Sequence, residues 1–142
     1  MKPVAEVSRV VVADDQPAFR EVAREVIEET EGLELVGTAA DCRGLPDLVD
    51  ETRADVLLLD VRIPGADTLA MATRLRQARP ALRVVLVSAE SVLDIPDEVF
   101  AMGIGFLPKE VLTPHTLAEA VRGSGNDNDN DNNDSDNGSG YG

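Results

Sequence analysis

Runs of β-branched and aliphatic residues alternate with stretches of helical periodicity from residue 7 to about residue 123. Five apolar runs predict β-strands, at residues 8–14, 33–40, 55–60, 83–89 and 103–109. Five stretches with apolar residues three and four positions apart predict helices, at residues 17–31, 45–52, 67–79, 94–103 and 113–123. Strict alternation of strands and helices is typical of βαβ units with right-handed crossovers. The pattern therefore predicts an α/β fold, an open five-stranded parallel sheet with helices on both faces.

Prolines and a capping residue indicate where several helices begin. Pro17 and Pro114 suit the first turn of a helix, where the missing N–H donor costs nothing, and Thr113 is a candidate cap. Pro96 would disrupt a helix interior, so the fourth helix is expected to begin near it and to be short. The second strand alternates apolar and polar residues, which is typical of a strand at the edge of a sheet.

The most apolar run of the chain ends directly on a carboxylate. Residues 56–59 read as a strand buried on both faces, and the next residue is Asp60. Three other predicted strands also end on polar residues, namely Asp14 and Asp15, Ser88, and Lys109. In a doubly wound sheet, ligands bind beyond the carboxyl ends of the strands. If the first and third strands are neighbours, these side chains therefore converge on one rim.

Three carboxylates held together repel one another unless a hard cation joins them. Magnesium fits such a cluster, because it takes a few carboxylates, keeps several waters and accepts phosphate oxygen. We therefore predict a Mg²⁺ site formed by Asp14, Asp15 and Asp60. Asp60 is the candidate nucleophile, because a carboxylate can accept a phosphoryl group as an acyl phosphate. Lys109 and the Ser88 hydroxyl would stabilise the oxygens of the transferring group.

Each of these residues also has a simpler structural interpretation. Two acids after a strand are often the N-cap of the next helix, and a strand-final aspartate is often a turn residue. Lys109 alone would be a solvated lysine at a sheet edge, although it is one of only 2 lysines beside 11 arginines. The joint placement at four strand ends is what favours a functional site.

Composition restricts the classes of function. The chain has 142 residues, enough for one α/β domain, and its formal charge of −14 opposes a sequence-independent grip on nucleic-acid phosphates. We therefore expect no direct nucleic acid binding by this chain. A single cysteine excludes an intrachain disulfide, and no apolar run is long enough for a signal or membrane segment. We expect a cytoplasmic protein without membrane association.

The chain divides into residues 1–123, which form the predicted domain, and an acidic segment at residues 124–142. The acidic segment contains five aspartates and no Val, Ile, Leu, Met or Phe, so it cannot bury apolar area to offset its ordering entropy. We predict that it is a disordered Asn/Asp/Gly/Ser tail. Its alternating aspartates could supply oxygen ligands to Ca²⁺, but the glycine and the closing glutamate of a calcium loop are missing.

Four segments, in this order and spacing, resemble the receiver domain of bacterial two-component response regulators. They are VVVADDQPAFR, VLLLDVRIPGAD, VVLVSAE and GFLPKE, and the resemblance covers residues 7–123. The segment ADDQPAFRE and the pair Lys109-Glu110 are most similar to the LuxR-type branch of transcription regulators. The resemblance implies a sheet order of 2-1-3-4-5. LuxR-type regulators continue into a helix-turn-helix domain, so a stand-alone receiver, a truncated regulator or an output through protein contact are all compatible with this sequence.

The resemblance also implies a role for each residue of the metal and acceptor sites. Asp60 would be the phosphoacceptor, and a sensor histidine kinase would be the phosphodonor. Asp14, Asp15 and the backbone carbonyl of Arg62 would belong to the Mg²⁺ site together with Asp60. The chain would thus be a signalling domain that catalyses its own phosphorylation and slow dephosphorylation, without being an enzyme acting on other substrates.

Three further residues match the switch that follows phosphorylation in this family. Ser88 matches the switch hydroxyl, Lys109 the lysine that pairs with the phosphoryl group, and Phe106 the aromatic residue whose rotamer is coupled to it. Output would run through the face of helix 4, strand 5 and helix 5, towards a second copy of the chain or another protein partner.

The sequence departs from the family pattern at several positions. Thr68 stands where the family usually has glycine, so the loop after Asp60 is expected to differ in shape. Arg62 and Glu90 lie two residues beyond Asp60 and Ser88 and are expected to pair over the site, where the family tunes phosphoryl lifetime. A proline precedes the lysine here instead of following it, which a sheet tolerates on an edge strand.

Two other functions compete with a phosphorylated switch. An aspartate-nucleophile phosphohydrolase on a related fold usually needs a second acid two residues after the nucleophile, and Arg62 occupies that position here. A phosphorylation-independent, receiver-like interaction module would have kept the fold without the chemistry. The presence of all five signature side chains argues against the second alternative.

Overall fold

The computed structural model describes residues 7–90 and 95–123. Its strands are β1 (Ser8–Ala13), β2 (Leu33–Ala39), β3 (Val56–Asp60), β4 (Arg83–Ser88) and β5 (Gly105–Pro108). Its helices are α1 (Pro17–Glu29), α2 (Leu45–Thr52), α3 (Thr68–Ala78), α4 (Asp97–Ala101) and α5 (Pro114–Gly123), with a 3-10 turn at Lys109–Val111. The predicted tail and its calcium alternative lie outside the described residues.

The five strands form one parallel sheet in the order β2-β1-β3-β4-β5. The predicted α/β fold and the order implied by the family resemblance are therefore confirmed. β2 lies at one edge of the sheet, as its alternating pattern predicted, and β5 lies at the other. Pro108 is the last residue of β5, so its missing N–H donor falls on an edge strand.

The central strand β3 is buried along its whole length. Leu57 and Leu59 belong to the hydrophobic cluster that α2, α3 and α4 cover, whereas Val56 and Leu58 belong to the cluster that α1 and α5 cover. Burying one such side chain stabilises the fold by about 1.5–3 kcal/mol relative to leaving it exposed. Residues on both faces therefore hold β3, and with it Asp60, rigidly in the middle of the sheet.

Several boundaries differ from the predicted ones by one to three residues. Helix α1 ends two residues early, because Thr30 takes an extended backbone and its hydroxyl donates to the Val26 carbonyl at 2.6 Å. Helix α4 has only five residues, with Pro96 at its N-cap, in agreement with the expected effect of that proline. Lys109 begins the 3-10 turn instead of ending β5, since Pro108 is the last residue of that strand.

The predicted starts of α1 and α5 are confirmed. Pro17 and Pro114 are the first residues of their helices. Thr113 caps α5, because its Oγ1 accepts a hydrogen bond from the backbone N–H of Thr116 at 3.1 Å and the Thr116 hydroxyl accepts one from the N–H of Thr113 at 2.9 Å. Among residues 7–90 and 95–123, no helix combines the length and hydropathy needed to cross a membrane.

Arg53 adopts a left-handed backbone at the C-terminal end of α2, with φ 54° and ψ 48°. It is the one residue other than glycine with positive φ in the part of the chain that the structure describes. A side chain with a Cβ atom pays a steric cost in this conformation, whereas glycine does not. Arg53 therefore stores strain at the junction between α2 and β3.

Replacing Arg53 with glycine is expected to raise the free energy of unfolding by about 0.5–1 kcal/mol, because relief of the left-handed strain exceeds the extra entropy that glycine loses on folding. Urea denaturation of the wild type and Arg53→Gly measures the difference. Arg53→Ala is the matched control, because it removes the same side chain and keeps the strain. An equal gain in both variants would contradict the backbone explanation.

Candidate functional site

Four strand ends meet at one rim of the sheet. β1 pairs with β3, β3 with β4, and β4 with β5, all in parallel. Asp14 directly follows β1, Asp60 and Ser88 are the last residues of β3 and β4, and Lys109 directly follows β5. Since parallel strands end at the same edge, the topology brings these side chains to one place.

Asp14, Asp15 and Asp60 form a cluster in which one carboxylate oxygen from each lies within 4.8 Å of the others. Asp14 and Asp60 are buried, and Asp15 is half-buried. The Oδ2 atom of Asp14 is inaccessible to solvent, and among the described residues its close partner is the Lys109 ammonium, 2.6 Å away. One ammonium does not neutralise three clustered carboxylates, and a hard divalent cation would compensate the remaining charge. The residues present therefore fit Mg²⁺.

Lys109 places its ammonium against this cluster. Its Nζ atom lies 2.6 Å from Asp14 Oδ2 and 3.5 Å from Asp60 Oδ2, and the side chain is only 14% exposed. The same Nζ atom lies 4.3 Å from the centre of the Phe19 ring. A cation over an aromatic face is attracted by the ring quadrupole, more strongly when it is desolvated. Two carboxylates and one ring therefore hold the ammonium at the rim.

Phe19 was missed as a site residue by sequence reasoning. Helical periodicity placed it on the buried face of α1, and the structure does place it in the core cluster on that face. Periodicity reports that a side chain points inward, but it cannot report which strand end lies above it. The neighbour of Phe19 on α1, Arg20, is also engaged there, because its guanidinium donates to the Asp14 carbonyl at 2.6 Å.

The polar side chains at three strand ends also hold their own turns. Asp14 Oδ1 accepts a hydrogen bond from the N–H of Gln16 at 2.8 Å, and Ser88 Oγ accepts one from the N–H of Glu90 at 3.0 Å. Asp60 Oδ1 accepts one from the N–H two residues later, at 3.1 Å. The turn interpretation is therefore correct for these residues, whereas the N-cap of α1 is Gln16 and neither acid. An aspartate can do both, because one carboxylate oxygen accepts the hydrogen bond of the turn while the other oxygen belongs to the acidic cluster.

Arg62 and Glu90 form the expected ion pair across the ends of β3 and β4, with Nη2 and Oε1 2.7 Å apart. The side chains are 62% and 50% exposed, so water screens the attraction and the pair contributes about 0–1 kcal/mol to stability. The position of this ion pair matters more for function than its contribution to stability, because it places a cation and an anion beside the rim that carries Asp60.

Burial raises the pKa of Asp60, and the nearby charge of Asp14 raises that pKa further. The N–H of Arg62 and the ammonium of Lys109 act in the opposite direction, because both favour the charged carboxylate. Burial and charge repulsion outweigh these two contacts, so the net effect is a raised pKa. A positive charge added near Asp60 would therefore favour the ionised carboxylate and lower its pKa.

Ser88 is fully buried at the end of β4, and Phe106 is half-buried in β5. Phe106 packs against the core cluster on the face covered by α2, α3 and α4. Thr68 is buried at the start of α3, where its hydroxyl donates to the Val61 carbonyl at 2.5 Å. The altered loop expected at Thr68 is thus tied back to the residue that follows Asp60.

Residues 10–122 match the family described as the response regulator receiver domain. The chain is 36% identical over 109 residues to the transcriptional regulatory protein NarL of Mycobacterium tuberculosis, covering 76% of this chain and 50% of that protein. It is 38% identical over 107 residues to protein-glutamate methylesterase/protein-glutamine glutaminase 2 of Shewanella oneidensis, covering 73% of this chain and 30% of that protein. The chain therefore spans half or less of the length of these relatives.

Solved structures agree with these sequence matches. The receiver domain of NarL from Mycobacterium tuberculosis superposes with a TM-score of 0.70 at 35% identity, covering 82% of this chain and 94% of that one. A LuxR-family response regulator from Aurantimonas superposes with a TM-score of 0.70 at 28% identity, covering 81% of this chain and 82% of that one. The similarity to the LuxR-type branch is thereby confirmed.

Asp60→Asn is expected to raise the melting temperature of the metal-free protein at pH 7 by about 2–5 °C. A carboxyl group whose pKa is raised by folding binds its proton more tightly in the folded state, so stability falls as the pH rises through that raised pKa. The advantage of the variant should therefore vanish below about pH 3, where the carboxyl group is protonated in both the folded and the unfolded chain.

Calorimetric scans in EDTA across this pH range measure the effect, with Glu25→Gln on the exposed face of α1 as the control for a lost surface charge. Equal stability of the wild type and Asp60→Asn at every pH would show that the buried charge carries no penalty.

Proposed function

The chain belongs to the response regulator receiver domain family of two-component systems, and from this we propose that it is a signalling switch phosphorylated on Asp60 by a sensor histidine kinase. The observation that carries the proposal is the rim itself. Asp60 lies at the rigid end of β3, next to Asp14 and Asp15 and 3.5 Å from the Lys109 ammonium. A nucleophile, a charge-neutralising lysine and a cluster suited to a metal are thus assembled in one place.

Phosphorylation would proceed by attack of an Asp60 carboxylate oxygen on phosphorus. The bond between phosphorus and the donor nitrogen breaks as the acyl phosphate forms, and the electron pair leaves with the donor imidazole. Lys109 would neutralise charge on the transferred oxygens, because its ammonium already faces Asp60. The Ser88 hydroxyl, at the end of the next strand, would donate a hydrogen bond to one of them.

Asp14, Asp15, Asp60 and the backbone carbonyl of Arg62 would hold Mg²⁺. The charge of the cluster supports this assignment, because three carboxylates lie within 4.8 Å of one another and a single ammonium, that of Lys109, contacts two of them. When bound, the ion would neutralise negative charge on the phosphoryl oxygens and so lower the barrier to transfer. Lys109, which now lies 2.6 Å from Asp14, would then be available to the phosphoryl group.

The switch would be read on the face formed by α4, β5 and α5. Ser88 and Phe106 would change position when the phosphoryl group arrives, and the new arrangement would favour one of two states of that face. Phe100 on α4 and Val111 after β5 are 44% and 41% exposed, so apolar side chains are available there for a partner. The partner would be a second copy of the chain or another protein, because the net charge of −14 opposes direct contact with nucleic acid.

Incubation with acetyl phosphate and MgCl₂ is expected to add one phosphoryl group to the wild type, visible as a single increment in the intact mass. Asp60→Asn removes the nucleophile and should abolish the increment, and EDTA should do the same by removing the metal. Asp47→Asn, which changes an exposed acid of α2 in the same way, is the matched control.

Either an unmodified wild type or full modification of Asp60→Asn would contradict the proposal. A partner protein that binds the wild type and Asp60→Asn equally well, without Mg²⁺, would instead support the phosphorylation-independent interaction module.

Glu90→Gln is expected to increase the rate of phosphorylation by acetyl phosphate about two- to fivefold. The substitution removes an anion beside the rim and releases the Arg62 guanidinium from its ion pair, so a negatively charged donor is attracted more strongly. Because both side chains are exposed, the gain should decline as NaCl is raised from low to physiological concentration.

The measurement is the rate of mass increase at several NaCl concentrations. Glu51→Gln on α2 is the control, because it makes the same charge change on an exposed face of another element. A gain that does not depend on salt, or an equal gain in Glu51→Gln, would be evidence against local electrostatics at the rim.

A further inference from the structure

Thr68 connects the start of α3 to the residue that follows Asp60. It is the first residue of α3 and only 3% exposed, and its Oγ1 atom donates a hydrogen bond to the carbonyl of Val61 at 2.5 Å. The bond closes the loop between β3 and α3 across seven positions. Within that loop, Gly65 has φ 77° and the N–H of Ala66 donates to the Ile63 carbonyl at 3.2 Å. The hydrogen bond from the Thr68 hydroxyl thus holds the two ends of the loop between β3 and α3 together.

The carbonyl that Thr68 binds belongs to the same peptide unit as the N–H that binds Asp60. The peptide bond between Val61 and Arg62 is planar, so its carbonyl and its N–H cannot rotate independently. The N–H of Arg62 donates to Asp60 Oδ1 at 3.1 Å, and the carbonyl of Val61 accepts from Thr68. Each bond also polarises the peptide in the direction that strengthens the other. One rigid group therefore links the Thr68 hydroxyl to the Asp60 carboxylate.

Helix capping does not account for the Thr68 hydroxyl. The N-cap of α3 is Asp67, whose side chain accepts a hydrogen bond from the N–H of Ala70 at 3.1 Å. The hydroxyl of Thr68 turns instead towards the loop and its single described partner is the Val61 carbonyl. A glycine at this position, as the family resemblance leads one to expect, would offer no such donor.

We propose that Thr68 is a positioning residue for phosphoryl acceptance, acting through the peptide between Val61 and Arg62 on the orientation of the Asp60 carboxylate. This inference rests on the proposed function of Asp60. The carbonyl of Arg62 belongs to the next peptide along the chain, so the same hydrogen bond would also restrain where that carbonyl can lie relative to the proposed Mg²⁺ site. Thr68 touches neither the phosphodonor nor the acceptor carboxylate, so its contribution is to geometry.

Replacement of the hydroxyl by a methyl group in Thr68→Val keeps the volume of the side chain and removes the donor. We expect the rate of phosphorylation by acetyl phosphate and the affinity for Mg²⁺ in the absence of phosphodonor each to fall about two- to tenfold, the range that one lost hydrogen bond allows. Thr68→Ser keeps the hydroxyl and should restore both quantities to near the wild-type values. Mass spectrometry measures the rate, and the backbone amide signal of Arg62 in NMR spectra, followed during a MgCl₂ titration, measures the affinity.

A control variant separates positioning from general destabilisation. Val49→Ala makes a cavity in the core on the buried side of α2, outside the loop between β3 and α3, and should lower the melting temperature without changing the rate at a temperature where both proteins are folded. Wild-type rates in Thr68→Val, or slow rates in Thr68→Ser as well, would overturn the positioning role and leave the proposed function standing. A wild type that acetyl phosphate does not modify would overturn the proposed function, and this inference with it.

Discussion

The pairing of β1 with β3 forces the carboxylates of Asp14 and Asp60 into one corner of the molecule from which water is largely excluded. Like charges in such a place are unfavourable unless a cation compensates them, and in this protein Lys109 does so from the end of β5. One ammonium is shared between two acids, and it lies 2.6 Å from Asp14 Oδ2 and 3.5 Å from Asp60 Oδ2. The charge of the corner is therefore only partly balanced, and the proposed metal ion would balance it further.

The fold can hold this unfavourable corner because the strands beneath it are rigid. β3 is buried on both faces, and each of its four apolar side chains packs into one of two hydrophobic clusters. The acids are held at their turns by bonds to the backbone N–H groups two residues later, so one oxygen of each is fixed while the other faces the rim. The free energy gained by burying these apolar side chains thus offsets the unfavourable energy of placing like charges together at the rim. A looser scaffold would relax and let the carboxylates separate.

The loop after Asp60 joins the rim to the rest of the molecule through a small number of contacts. Its first peptide is bound at one side by Asp60 and at the other by Thr68, and the side chain of Arg62 reaches Glu90 at the end of β4. A change at the Asp60 carboxylate can therefore reach α3 through the Thr68 hydroxyl and the segment after β4 through the Arg62 side chain. The face of α4, β5 and α5 lies one strand further along, so under the proposed function β4 and Ser88 would connect phosphorylation at Asp60 with that face.

Sequence alone determined the elements, the α/β class and the strand ends, because hydrophobic periodicity and the punctuation by proline and polar residues are local properties of the chain. It also determined which side chains could form the site, since Asp14, Asp60, Ser88 and Lys109 stand at or next to strand ends in any arrangement of the sheet. Only the tertiary structure decided their partners. Lys109 lies closer to Asp14 than to Asp60 and lies over the Phe19 ring, and these contacts depend on distances between segments far apart in sequence. The hydrogen bond from Thr68 to the carbonyl beside Arg62 depends on the path of a loop. Periodicity carries no record of such distances, because they are set by strand order, helix packing and backbone angles acting together.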